Sequence, residues 1–272
     1  MDRFIKNIRI VVGGCALIIL FFTAILAPVL SPFDPNKMNP AKSLKGPGRT
    51  YLLGTDDVGR DIFSRLVYGT RISLTIALTA VFLATVCGVF LGLLAGYAGG
   101  LTDTAVMRMM DILMSFPPIL FAITIVAFLG TGVLHMVATI AILYTPRFAR
   151  IAYSSTMSVK ENDYVKASRA IGASHSRIVV QDILPNIMAP IIILISLSVG
   201  TAILLESGLS FLGMGPPPPT ATWGNMIGRS RDLMDIKPIM VVWPSAAIAM
   251  TVLAFNILGD GLRDVLDPRL KI

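Results

Sequence analysis

Residues 112–146 read ILMSFPPILFAITIVAFLGTGVLHMVATIAILYTP, a run of 35 residues without one Asp, Glu, Lys or Arg. A bilayer core about 30 Å thick is crossed by about 20 apolar residues of helix, and at 1.5 Å per residue this run would make a rod of about 52 Å. It is too long for a single crossing. Gly130-Thr131-Gly132 lies where a tight helical hairpin would turn, and residues 104–111 can supply the missing turns at the front. Two spans are expected here, the first kinked by Pro117-Pro118, which removes two successive donors from the helical ladder.

Residues 10–30, 72–102, 183–205 and 238–259 are free of formal charge in the same way, and each is long enough to cross. All 23 Lys/Arg and 16 Asp/Glu fall outside these five runs. The chain average of 14% charged residues therefore mixes charge-free spans with connecting segments of ordinary water-exposed composition. With one helix from each of the four runs and two from the longest, the expectation is an all-α polytopic membrane protein with six transmembrane helices. Arg3, Lys6 and Arg9 precede the first run like a secretion signal. Its 21 residues exceed the usual signal core, so an uncleaved first span is expected.

The rest of the composition excludes function classes. Cys15 and Cys87 both sit in apolar runs, and His135 and His175 stand far apart. No disulfide framework, metal-ligand spacing or catalytic cluster results. The net charge of +7 suits basic loops beside anionic headgroups rather than nucleic acid. The N-terminal basic cluster and the dense basic segment 147–177 favour the cytoplasmic side for both, which makes both termini cytoplasmic. A proton- or ion-coupled transporter would want ionisable groups near the midplane. By this reading only His135 lies well inside an uncharged run, while Arg108, Asp111 and Glu206 sit at span ends.

Several shorter features carry information. Ile62, Phe63, Leu66 and Val67 share one helical face opposite Asp61 and Arg65, which suits a short interfacial helix, or a solvated linker ending in a cap. Gly88, Gly92 and Gly96 repeat every four residues and line a groove for close helix packing, within this chain or against another subunit. In segment 158–186, residues 162–171 have helical spacing and Gly172 is placed as a stop. Ser174 can cap a second helix to Leu184, and Pro185 then opens the next span. Two short basic helices joined at a glycine form either a docking knob or a solvated loop. Glu206 reads as a cap on the segment after it, and Trp223 and Trp243 as interface anchors.

Tyr164-Val165-Lys166-Ala167-Ser168-Arg169-Ala170-Ile171-Gly172-Ala173-Ser174, followed by Ile183-Leu184-Pro185-Asn186, resembles the cytoplasmic loop of ABC importer permeases. That family motif is Glu-Ala-Ala, three residues, Gly, nine residues, Ile-x-Leu-Pro. Lys166 stands at the motif glutamate, Ser168 at an alanine and Asp182 at the isoleucine, which leaves Glu161 or Asp163 to take the glutamate's place. Residues 53–61, 209–215 with Trp223-Gly224, and 256–264 through Asp267-Pro268-Arg269 are similar to dipeptide, oligopeptide and nickel permeases of the second-subunit (C) type.

The resemblance implies a type I ABC importer permease fold in a bacterial or archaeal inner membrane. It divides the chain into an N-terminal helix, outer segment and interfacial helix (1–71), a five-helix core (72–262) and a short cytoplasmic tail (263–272). It further implies a non-catalytic subunit that pairs with a homologous permease as a heterodimer, with two cytoplasmic ATPases and with an extracytoplasmic substrate-binding protein, embedded in membrane lipid. Glu161, Asp163, Tyr164, Lys166, Ala167, Ser168, Gly172, Ala173, Leu184 and Pro185 would couple to the ATPases, and Glu206, Ser210 and Phe211 would lie near an outer gate. No G-x-x-x-x-G-K-[ST] is present, so ATP and magnesium would be held by the partners and no cofactor by this chain. The implied cargo is short peptides, with nickel or a nickel chelate as the alternative.

Overall fold

The computed structural model describes residues 7–266. Arg3, Lys6 and Asp267-Pro268-Arg269 lie outside them, as does most of the tail expected at 263–272. The described part is a bundle of long helices. Asn7 caps α1 (Ile8–Ile25) through its side chain on the Arg9 N–H, and a short α2 (Ala27–Leu30) follows. An irregular segment leads to Asp61, whose carboxylate accepts from the Ser64 N–H at 2.8 Å and starts α3 (Ile62–Ala98). Next come α4 (Gly100–Met114), α5 (Pro118–Leu129), α6 (Val133–Val159) and α7 (Asp163–Ala170). The chain continues through α8 (His175–Phe211), α9 (Trp223–Ser230) and α10 (Ile239–Leu266).

Four of these helices, α1, α3, α8 and α10, are long and apolar enough to cross a membrane, and a fifth crossing results if α4 and α5 count as one broken span. The six expected spans are therefore not all of one kind. The first part of the long run is not a kinked rod. Its two helices meet at 94°, because Pro117 holds an extended backbone (ψ 125°) and Pro118 opens a new helix. Gly130 and Gly132 take left-handed φ of +86° and +153° and make the turn expected there. The sixth helix, α6, continues 13 residues beyond the charge-free run and so carries Arg147 and Arg150 in its body. Pro146 removes one donor from the ladder, and α6 runs through it as one continuous helix.

The expected interfacial helix at 62–68 is the first two turns of α3, so the division at residue 71 falls inside one helix. No helix breaker stands after the Asp61 cap, and Ile62, Val67 and Arg65 are buried rather than presented to an interface.

The core runs along α3. Ile76, Ala77, Ala80 and Ala84 are fully buried against Ile140 and Phe148 of α6 and Ala202 and Ile203 of α8. The glycine row fixes how close two helices come. A Cβ at Gly88 would lie 2.5 Å from that of Phe148, one at Gly92 2.7 Å from that of Ala152, and one at Gly96 2.9 Å from that of Thr156. All three therefore face α6 of the same chain, where backbone-to-backbone approach replaces side-chain interdigitation. The first helix, α1, packs on α10 through Gly13 against Ala254 and Leu258 and Gly261 against Ile10, with Arg9 and Asp264 3.0 Å apart at the end. It leaves Ile18, Ile19, Phe22 and Ile25 exposed, the surface a lipid-facing helix requires.

Candidate functional site

At one end of the bundle, the ends of α3 and α6 meet α7 and the start of α8. Ala170 closes α7, and the turn that follows is a Schellman motif. The Gly172 N–H donates to the Arg169 carbonyl and the Ala173 N–H to that of Ser168, both at 3.1 Å, with Gly172 at φ +82°. Ser174 then caps α8 by accepting from the Arg177 N–H. These local signals were legible in sequence. The second expected helix, however, does not stop at Leu184. A π-helical turn over Ile178–Ile183 carries it into the following span as one continuous helix, with the Leu184 N–H reaching back to Val179. The wider turn accommodates Pro185, which has no N–H for the ladder, and the Asn186 side chain donates to the carbonyl of Asp182 at 2.7 Å.

One side chain seats α7. Val165 is fully buried with Leu93, Ala152, Ile178 and Ile183, and Ala173 and Leu184 pack on that cluster. Opposite, Glu161, Asp163, Tyr164, Lys166, Ala167, Gly172 and Pro185 are exposed, and Ser168 is half-buried. Lys166, at the motif glutamate position, pairs with Glu161 at 3.4 Å. Both are solvent-exposed, so the pair adds little to stability. Asp163 opens α7, where a carboxylate favours the positive end of the helix.

The last turn of α3 is held by residues that sequence reading had not singled out. The Lys160 ammonium donates to the Gly96 carbonyl at 2.8 Å, capping an orphan acceptor at the negative end of α3. The Tyr97 hydroxyl and His175 Nδ1 are 2.7 Å apart, and the Arg169 guanidinium lies 6.0 Å from the centre of the Tyr97 ring. Only the fold shows these pairings, since Tyr97 and His175 are separated by 78 positions.

The opposite end is built around Glu206. It is fully buried and accepts from Ser210 at 2.7 Å and Ser73 at 3.2 Å, and Ser207 is 3.4 Å away. Helix α8 continues past Glu206 to Phe211, so Glu206 joins α3 to α8 and caps no later segment. Ser210 is buried and Phe211 is partly exposed at the helix end. Trp223 is fully buried, not an interface anchor, and its indole N–H donates to the Leu66 carbonyl at 3.2 Å. Trp243 is 38% exposed. Arg65 reaches the Pro35 carbonyl at 2.8 Å, and Arg60 pairs with Asp56 at 2.6 Å in the same buried corner.

Between the two ends, one face of α6 carries Arg147, Arg150 and Tyr153 at intervals of three residues, all turned towards α4. Arg150 pairs with Asp111 at 2.5 Å and the Tyr153 hydroxyl donates to Asp103 at 3.0 Å. Sequence reading had assigned both arginines to a loop, because the charge-free run stops at Pro146. The helical signal that could have corrected this is the buried spacing of Phe148, Ala149, Ala152 and Thr156, which continues the pattern of α6. Among the described residues no three His, Cys, Asp or Glu side chains come together to hold a metal.

Comparison with known proteins agrees with this architecture. Residues 88–272 match the family described as binding-protein-dependent transport system inner membrane component, and residues 1–47 the N-terminal TM domain of oligopeptide transport permease C. The glutathione transport system permease protein GsiD of Pectobacterium atrosepticum is 42% identical, over 99% of this chain and 90% of its own length. The dipeptide transport system permease protein DppC of Alkalihalophilus pseudofirmus is 42% identical over 98% and 88%, and the di/tripeptide permease DppC of Pseudomonas aeruginosa 41% over 95% and 88%. In fold, a chain of the MetNI methionine ABC transporter in an inward-facing conformation superposes with a TM-score of 0.60 at 18% identity, covering 74% of this chain and 96% of its own. An amino acid ABC transporter chain gives 0.56 at 14%, covering 73% and 92%. The chain thus belongs to the inner-membrane permease family of binding-protein-dependent ABC transport systems.

Proposed function

We propose that this chain forms one half of the translocation path for short peptides in an ATP-driven importer, and that it receives the ATPase stroke on the face of α7 and Gly172. The observation that carries the reading is the exposed helix–glycine–helix knob, pinned by Val165 and tied to the end of α3, in a chain of this family. Relatives named for dipeptide, di/tripeptide and glutathione transport support a peptide cargo over nickel.

In this reading the partners are a homologous permease, two ATPases that hold ATP and magnesium, and an extracytoplasmic binding protein. The chain crosses the membrane six times with both termini in the cytoplasm, α6 being the fourth crossing in chain order. What supports α6 in that role is its glycine-lined packing along α3, which qualifies as a span by itself. Its charged face is then turned to a path and not to lipid. ATPase closure would push α7 towards the membrane. The rigid α6 and α8 would follow as its covalent neighbours, and α3 through Lys160 and His175. At the outer end, Glu206, Ser210 and Phe211 would move with α8 as part of the gate.

Two measurements test this. The purified chain is expected to hydrolyse no ATP, whereas its complex with the ATPases does, and hydrolysis by the isolated chain would overturn the assignment. A reporter fused at His175 should read as cytoplasmic and one at Pro218 as external. The reverse pattern would invert the coupling face and end the proposal.

A further inference from the structure

We infer that Arg147 is a carboxylate-binding site for cargo at the middle of the membrane, a reading that rests on the importer function proposed above and names the chemistry it selects. The depth follows from α3. Gly88 lies ten residues before the end of α3 at Ala98, about 15 Å at 1.5 Å per residue and so about half of the hydrocarbon core, and a Cβ there would meet Phe148 and the Thr145 carbonyl, which bracket Arg147. Arg147 therefore sits at the level where a bilayer tolerates a cation least.

Phe148 and Ala149 turn inward and are fully buried, so Arg147 points away from the core and is exposed on this chain. It makes no ion pair or side-chain hydrogen bond among the described residues, whereas Arg150, one turn on, is satisfied by Asp111. An unpaired guanidinium at this depth, on a face continued by Arg150, Asp111 and Tyr153, belongs to a hydrated path and not to lipid.

The surroundings define the ligand. Arg147 lines a groove of about 280 Å³ with Phe116, Pro118, Leu143, Tyr144 and Leu205. Pro118 begins α5 just after the 94° break and adds an apolar wall to the same groove. A planar guanidinium among apolar walls suits a carboxylate attached to an apolar body. The C-terminal end of a short peptide has that form. Among the described residues no carboxylate lines the groove to compete for it.

The test compares uptake of trialanine and of trialanine amide by the complete transporter in proteoliposomes supplied with its binding protein. The binding protein's own preference is common to every permease variant, so a change in the acid-to-amide ratio reports on the permease alone. Arg147→Gln is expected to lower that ratio tenfold or more, while Arg147→Lys, which keeps the charge, retains a preference for the acid. A ratio that Arg147→Gln leaves unchanged, or an equal loss in both substitutions, would overturn the site and leave the importer reading intact. Absence of trialanine uptake by the unsubstituted transporter would overturn the peptide reading itself, and the site with it.

Discussion

A Gly92→Val chain is expected to lose its packed helix bundle and to disappear from assembled complexes. The ideal Cβ at this position lies against the Ala149 carbonyl oxygen, 2.7 Å from the Ala152 Cβ and 2.8 Å from the Tyr153 nitrogen. Three separate points of α6 would have to give way. Two of them are backbone, which cannot swing aside as a flexible side chain can. Overpacking in a well-filled core costs roughly 1–3 kcal/mol where side chains can repack, and rigid neighbours put this site at the upper end, about 3 kcal/mol or more. The loss would spread, because α6 also packs on α8 and leads directly into α7. Gly14 in α1 is the control, since a Cβ there would meet nothing within 4 Å, and Gly14→Val should leave stability unchanged. The check is a thermal or protease-resistance comparison of the two variants in membranes. Equal stability would mean that α3 and α6 are held apart from each other in the working protein.

A Gly172→Val chain should insert and fold, yet transport at a tenth of the normal rate or less while its ATPases continue to turn over. The difference from Gly92 is physical. Nothing lies within 4 Å of a Cβ at Gly172, so space is not the constraint. The constraint is φ at +82°, which a β-branched residue reaches only at a cost of about 1–3 kcal/mol. Relief of that strain would break the Schellman hydrogen bonds to Arg169 and Ser168 and re-aim α7 relative to α8. Val165 would still anchor α7, so the bundle persists while the exposed face presents itself wrongly. Gly172→Asn, which tolerates the left-handed region, is expected to keep most uptake. Normal peptide uptake by the valine variant, measured beside ATP hydrolysis in the same vesicles, would remove Gly172 from the coupling face.

Much of this was visible in one dimension because the signals were local. The stop at Gly172, the caps at Asp61 and Ser174, and the hairpin at Gly130-Thr131-Gly132 each depend on a few adjacent residues. The errors came where a local boundary was drawn from charge alone. Arg71 and Arg147 bounded charge-free runs on paper, yet both are in the bodies of long helices, with Arg147 turned to the groove at the proline break, and Arg65, read as the polar side of an interfacial helix, is buried by its contact to Pro35. A helix ends where its hydrogen bonds end, and a charge at mid-helix only signals that its surroundings are not lipid. Glu206 and Trp223 were misread for a related reason. Their partners, Ser73 and Leu66, lie more than a hundred residues earlier.

The sequence by itself determined that the chain is a multi-pass helical membrane protein and where the knob at Gly172 lies, because bilayer thickness and backbone caps impose rules on contiguous residues. Which glycine row meets which helix, what holds the end of α3 to α8, and that Arg147 lies at the level of Gly88 were decided only in three dimensions. Each of these depends on two helices being brought to one level and one face. In a bundle whose spans are almost all apolar, the linear pattern does not distinguish a side turned to lipid from a side turned to protein or to a water-filled path.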